Sequence, residues 1–199
     1  MAGSRLGRPV VIDPEAVSLT ALRLFDEGGY DTVSMDDVAL AAGVSRRSLF
    51  RLFPTKASLL WGGFEEFAAR LQDALERTPH DASTRDALRT AYRAAATFPL
   101  SAIEVTRRRL RVIVANPELA GDGVVRSVPL NAVVTDFIAR RHHGADGADG
   151  FESVVVAQAL AAAASSALAW WALHSDERPE DVTERAIELV LRPLLGAPS

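Results

Sequence analysis

Apolar residues recur along most of this chain at three- and four-residue intervals, and no stretch alternates with period two for long enough to predict a strand. The first helix start is Asp13-Pro14-Glu15, an N-cap acid followed by a proline at the first helical position and an acid in the first turn. Val17, Ala21, Leu24 and Phe25 follow as one stripe, and Gly28-Gly29 ends it. Ser34 with Asp37 resembles a capping box and opens a short helix through Val38, Ala39 and Ala42 that stops at Gly43. Val44 and Ser45 restart the chain as a third short helix over 46–53, closed by Pro54. Thr55 reads as the cap of a long fourth helix over 56–77, with Leu60, Phe64, Phe67, Leu71 and Leu75 on its stripe. Further helices are predicted over 84–98, 101–115, 124–141, 151–174 and 179–195. They are separated by Phe98-Pro99, by 116–123, by a Gly/Asp-rich connector over 143–150 that reads as mobile, and by 175–178. The pattern predicts an all-α chain of about nine helices, a three-helix head over 1–60 and a helical bundle over 61–199.

One segment is long and apolar enough to weigh against a membrane: 153–173 carries no charge. Alanine gains little from lipid, Gln158, Ser165 and Ser166 interrupt the run, and no Lys/Arg cluster flanks it, so it is read as a helix buried on all sides within a soluble protein.

Composition narrows the chemistry. Apolar residues make up 48% of the chain and aromatics 7%, which suits packed helices. The absence of cysteine excludes disulfides, thiolate zinc sites and thiol nucleophiles together. Residues 1–9 lack the apolar run of a signal peptide, and a cytoplasmic location is expected. No nucleophile elbow, phosphate loop or zinc-protease motif is present, and no enzyme activity, metal or cofactor is expected. Of the histidines, His80, His142 and His143 fall at helix ends or in loops, and adjacent His142 and His143 diverge on a helix.

The net charge of −4 does not suggest a nucleic-acid binder, but DNA responds only to the face presented to it. The stretch from Met35 to Phe53 meets the demands of a helix-turn-helix: a small residue at the crossing, a turn residue tolerant of positive φ, and apolar anchors for the second helix. Ala39, Gly43, Val44 and Leu49 supply these, and anchoring Leu49 and Phe53 turns Arg46, Arg47, Ser48 and Arg51 outward. Between Ser45 and Lys56 stand four positive charges and no acid. Arginine donates two hydrogen bonds at once to guanine O6 and N7, which makes Arg46, Arg47 and Arg51 candidate base readers. Lys56 is better placed for a phosphate. Arg5 and Arg8 precede the first helix in an arm suited to the adjacent minor groove.

The segment ALRLFDEGGYDTVSMDDVALAAGVSRRSLFRLFPTKASLL resembles the DNA-binding head of the tetracycline-repressor family. The resemblance implies a homodimer with one head per subunit in successive major grooves of double-stranded DNA, and a C-terminal domain that binds a small effector. By position it implies that Ser34 meets a phosphate, that Arg46 to Ser48 form the base-reading segment and that Lys56 is the phosphate-binding lysine, with Ser45 also among the DNA-contact residues. Phe50 stands where the family usually has a phosphate-contacting tyrosine, a loss for which Arg51 is the nearest compensation. Asp36 stands where some members read a base with arginine. The run FRLFPTKASLLWGGF and the later VTRRRL also resemble regulators associated with mycofactocin gene clusters, which implies a fatty acyl-coenzyme A or similar lipophilic anion as effector.

In this family the last two helices usually make the dimer. The small residues Ala157, Ala161, Ser165 and Ala169 recur every fourth position, and Val182, Ala186, Leu189 and Val190 add a stripe on the final helix, so these eight are the expected interface. The expected effector-lining set is Phe67, Leu71, Tyr92, Phe98, Ile113, Phe137 and Trp170 with Arg107. Of Arg107, Arg108, Arg109 and Arg111, only one or two can point inward, because neighbours on a helix are rotated by about 100°. The sequence therefore predicts a ligand-responsive repressor of a near-palindromic operator. A helical protein-interaction module that has lost specific DNA binding is the alternative.

Overall fold

The structure, a computed structural model, describes residues 12–142 and 150–194. It forms two compact units, the first ending at Leu60 and the second beginning at Trp61, with nine α-helices among the described residues. The arm carrying Arg5 and Arg8 and the connector over 143–149 lie outside the described residues.

In the first unit α1 (Pro14–Gly28) begins where the Asp13 carboxylate accepts the Glu15 N–H at 2.9 Å. It ends at Gly29, whose φ of +85° is in the left-handed region that favours glycine. Val17, Ala21, Leu22 and Phe25 face inward; Leu22 takes the buried place that periodicity gives to Leu24, which is half-buried. Val38 and Ala39 of α2 (Met35–Ala41) and Leu49 of α3 (Arg46–Leu52) complete the core. Leu59 and Leu60 close it from a 3-10 turn over Ala57–Leu60. The Ser18 hydroxyl pins this turn by donating to the Leu59 carbonyl at 2.5 Å.

The turn corrects the expected fourth helix, because Thr55 caps the turn and not a helix: its Oγ1 accepts the Ser58 N–H at 3.1 Å. The tighter winding places both leucines in the core of the first unit. Helix α4 (Gly62–Glu76) starts only after Trp61.

In the second unit α4, α5 (Thr84–Ala95), α7 (Ala120–His142), α8 (Gly150–His174) and α9 (Pro179–Leu194) surround one core, built on Leu71, Leu88, Tyr92, Val134, Leu160 and Ile187. Helix α6 (Leu100–Ala115) packs on α8 through Ile103 and Leu110, against Ala167, Trp171 and Ala172. Helix α5 stops at Ala95, short of Phe98, the residue that Pro99 keeps out of helical backbone. Helix α7 begins at Ala120, four residues before its expected start, and runs through Gly121 and Gly123. A side chain at Gly123 would come within 2.8 Å of the Trp61 ring, so this glycine serves a close approach and not a break.

Arginines close several helix ends, where four carbonyls lack partners within the helix. Arg70 donates to the Ala95 carbonyl from Nε and Nη2 at 3.0 and 2.9 Å. Arg107 reaches Trp171 O and Ser175 O, and Arg111 reaches Ala172 O, at the end of α8. An ion-pair ladder joins α5 to α9: Arg85 pairs with Glu188 at 2.9 Å, and Arg89 and Arg93 converge on Glu184.

Helix α8 overturns the expectation of burial on all sides. Val156, Ala157, Leu160, Ala164, Ala167 and Trp171 are buried, while Phe151, Val154, Val155, Trp170 and Leu173 are exposed. Only 33% of its most apolar window is buried within the chain. The helix is apolar all round, yet one face has no cover among the described residues.

Candidate nucleic-acid interface

The interface is built on two short helices and the turn between them. The Ser34 N–H donates to Asp37 Oδ2 at 2.8 Å and the Asp37 N–H donates to Ser34 Oγ at 3.2 Å, a reciprocal box that starts α2. The Ser34 hydroxyl also donates to Asp37 at 2.6 Å. These hydrogen bonds favour the charged form and hold the Asp37 carboxyl below its ordinary range. After Ala41 the chain turns at Gly43, φ +66°, and the Val44 N–H returns to the Ala39 carbonyl at 3.0 Å. Ser45 then caps α3 by accepting the Ser48 N–H at 3.1 Å.

With Leu49 and Phe53 buried, the opposite face of α3 presents Arg46, Arg47, Phe50 and Arg51 to solvent. Arg47 and Arg51 have no acidic partner among the described residues. Arg46 does: its Nη1 donates to Asp36 Oδ2 of α2 at 3.0 Å, and its guanidinium lies 5.5 Å from the Phe50 ring centroid. The sequence run 45–56 holds no acid, but the fold brings one to it from the neighbouring helix.

Other expected contacts sit differently. Ser48 is half-buried and its hydroxyl accepts from Ser45 at 2.9 Å, which occupies the Ser45 hydroxyl proton. Lys56 is not at a helix start. Its ammonium donates to the Tyr30 carbonyl and lies 4.2 Å from the Tyr30 ring centroid and 5.7 Å from that of Phe25, a position inside the head.

The second unit redistributes the other expected site residues. Ala157 and Val182 are buried in their own subunit and have no surface for a partner, because α8 turns Ala157 toward the bundle core and Val182 packs near Trp171. Ala186 and Val190 are half-buried against the subunit core, Ala161 and Ala169 are half-buried, and Ser165 and Leu189 are exposed. Of the expected effector set, Phe67, Leu71, Tyr92 and Phe137 are core residues. Burial raises the Tyr92 phenol well above its ordinary value. Phe98 and Ile113 are half-buried, and Trp170 is exposed and stacked on His174 at 5.7 Å. Arg107 is committed to the end of α8, as described above.

Of the arginine run, Arg109 is the one buried, 7% exposed, and a Cβ built on Gly63 would lie 3.8 Å from its Nη1. At the start of α4, Trp61 packs edge-on against Phe64 and under the Arg126 guanidinium, and its indole N–H is buried without an acceptor among the described residues. Trp61 and Arg126 carry no sequence signal beyond an aromatic before a Gly-Gly pair and a lone cation in an apolar stretch.

The likeness to known proteins follows these two units. Residues 19–60 match the family described as bacterial regulatory proteins, tetR family, and residues 82–195 match the one described as the MftR C-terminal domain. Over 141 residues the chain is 39% identical to the putative mycofactocin biosynthesis transcriptional regulator MftR of Mycobacterium tuberculosis, covering 71% of each protein. Among solved structures it is similar to FadR of Thermus thermophilus, a transcriptional repressor in complex with lauroyl-CoA. That match has a TM-score of 0.61 at 19% identity over 94% of this chain and 97% of that one. The fatty acid degradation regulator FadR of Bacillus halodurans also gives 0.61, at 15% identity over 92% of this chain and 97% of that one.

Proposed function

Because the chain belongs to the tetracycline-repressor family of bacterial transcriptional regulators, we propose that it is a cytoplasmic homodimeric repressor that binds a near-palindromic operator and leaves it when a lipophilic anion binds. The observation that carries the DNA-binding part is the solvent face of α3, where Arg47 and Arg51 stand without acids among the described residues, beside Arg46 paired with Asp36. A major groove admits such a helix, and arginine forks suit guanine edges there. Ser34 and Ser45 at the helix starts are assigned to phosphates, as is Lys56, whose ammonium keeps donors beyond the one given to the Tyr30 carbonyl. Arg5 and Arg8 are assigned to the adjacent minor groove.

The uncovered apolar face of α8, with Leu189 of α9 exposed at 69%, supports the dimer. Two subunits then place two heads on half-sites roughly 34–36 Å apart, about one turn of DNA. The anionic effector rests on buried Arg109 and on the Trp61 N–H that lacks an acceptor among the described residues, both in the second unit. The lauroyl-CoA bound by the Thermus thermophilus structure names the class to try first.

The test is fluorescence anisotropy of a labelled operator duplex held at fixed salt, with lauroyl-CoA or coenzyme A alone titrated into the complex. Weakened binding with the acyl compound and not with coenzyme A supports the reading; tighter binding contradicts repression relieved by ligand.

A further inference from the structure

An acid on a DNA-facing surface works against affinity, since it stands close to phosphates. Asp36 is such an acid, and helix capping does not account for where its carboxylate goes. The start of α2 is already closed by the Ser34–Asp37 box. Asp36 instead reaches ten residues along the chain to Arg46, at 3.0 Å. Arg46 therefore meets two partners at the exposed surface, the Asp36 carboxylate on one edge of its guanidinium and the Phe50 ring, one helical turn away, at 5.5 Å.

A guanidinium has five N–H donors in a rigid fork, and the pairing with Asp36 uses Nη1. Donors remain for a second planar partner, and the pairing favours one direction of the side chain over the others. Arg47 and Arg51, with no acid beside them among the described residues, have no such preference from an ion pair.

We propose that Asp36 is a positioning residue for sequence reading: it aims Arg46 at one guanine per half-site, gaining discrimination at the expense of general DNA affinity. This rests on the DNA-binding reading above and assigns a division of labour within it. Arg46 reads a base through a fork fixed by Asp36, and Arg47 and Arg51 supply charge to the backbone.

The test uses the full-length protein and its D36N, D36A, R46A and R46K variants, selected against a randomised duplex library at fixed salt. The enriched sites and their single-base variants are then titrated at two salt concentrations. D36N and D36A should lose preference at the same base pair that R46A loses, by about tenfold. They should bind random duplex as tightly as wild type or more tightly, since a negative charge is gone. R46K should keep affinity for random DNA while losing that preference, because a lysine keeps the charge and lacks the fork. A D36N/R46A double variant should discriminate no worse than R46A. Unchanged base preference in D36N overturns the proposal. So does loss of preference at a different base pair, which would make Asp36 a reader in its own right. If wild type itself enriches no sequence, both this proposal and the DNA-binding reading fail; if wild type and R46A differ while D36N matches wild type, only this proposal fails.

Discussion

The guanidinium of Arg107 lies 4.2 Å from the Trp171 ring centroid and donates to the carbonyl oxygen of the same residue at 3.1 Å. One side chain thus covers a buried aromatic on α8 and satisfies two carbonyls at that helix's C-terminal end, the second being Ser175 O at 2.7 Å. Removing it exposes ring surface and takes this donor from the Ser175 carbonyl, while Trp171 O keeps the Ser175 N–H at 3.2 Å. R107A is expected to destabilise the second unit by about 1.5–3 kcal/mol, the range for hydrogen bonds that involve a charged group. R107K should fall in between, with the charge kept and the fork lost. Thermal unfolding followed by tryptophan fluorescence checks this, and an unchanged midpoint in R107A would show that solvent replaces the contact at no cost.

The cap of α2 carries a pH signature. Asp37 is held below its ordinary value of 3.8 by the Ser34 hydroxyl and N–H, so its contribution is complete above that value and is lost as the pH falls through the lower folded one. S34A should weaken α2 by about 1 kcal/mol at neutral pH, as loss of an N-cap serine does. The gap between wild type and S34A should narrow as the pH drops below 3.8. Protection of the α2 amides from hydrogen exchange, compared as a ratio between the two proteins at each pH, reads this out. A ratio constant down to full acid would mean that the box contributes nothing.

The face of α8 bearing Val154, Val155, Trp170 and Leu173 is the one assigned to the second subunit. Trp170 is exposed and stacks on His174, so W170E should leave the subunit folded. Across a two-fold axis it sets two like charges into an apolar contact. Sedimentation equilibrium at micromolar concentration should show a wild-type dimer and a W170E monomer with unchanged helical circular dichroism. A monomeric wild type, or a W170E dimer, would remove α8 from the interface.

Much of the fold was legible because its signals are local. Asp13-Pro14, the Ser34–Asp37 box and Ser45 start their helices, and Gly29 ends α1, as periodicity and capping rules place them. The errors come where packing decides. Thr55 has the chemistry of a helix cap, but the leucines after it bury themselves from a 3-10 turn. Gly123 looks like a break until the Trp61 ring is seen to occupy the space of its missing side chain.

The candidate sites divide the same way. The outward set on α3 follows from the burial of Leu49, a one-helix argument. Which of four neighbouring arginines turns inward depends on the helix packed against them, and the answer is Arg109, with Arg107 spent on the end of α8. Small residues every fourth position on α8 did not define a free face, because Ala157 in that series points into the core. Asp36 gave no sign in one dimension that it meets Arg46, ten residues away on another helix.

The central claim is that this head reads DNA sequence through α3. Affinity selection of genomic fragments by the purified protein, run beside an R46A/R47A double variant at one fixed salt concentration, tests it most directly. The account predicts that wild type enriches one or a few near-palindromic fragments and that the double variant enriches none of them. Equal enrichment by both proteins, or by neither, would contradict it.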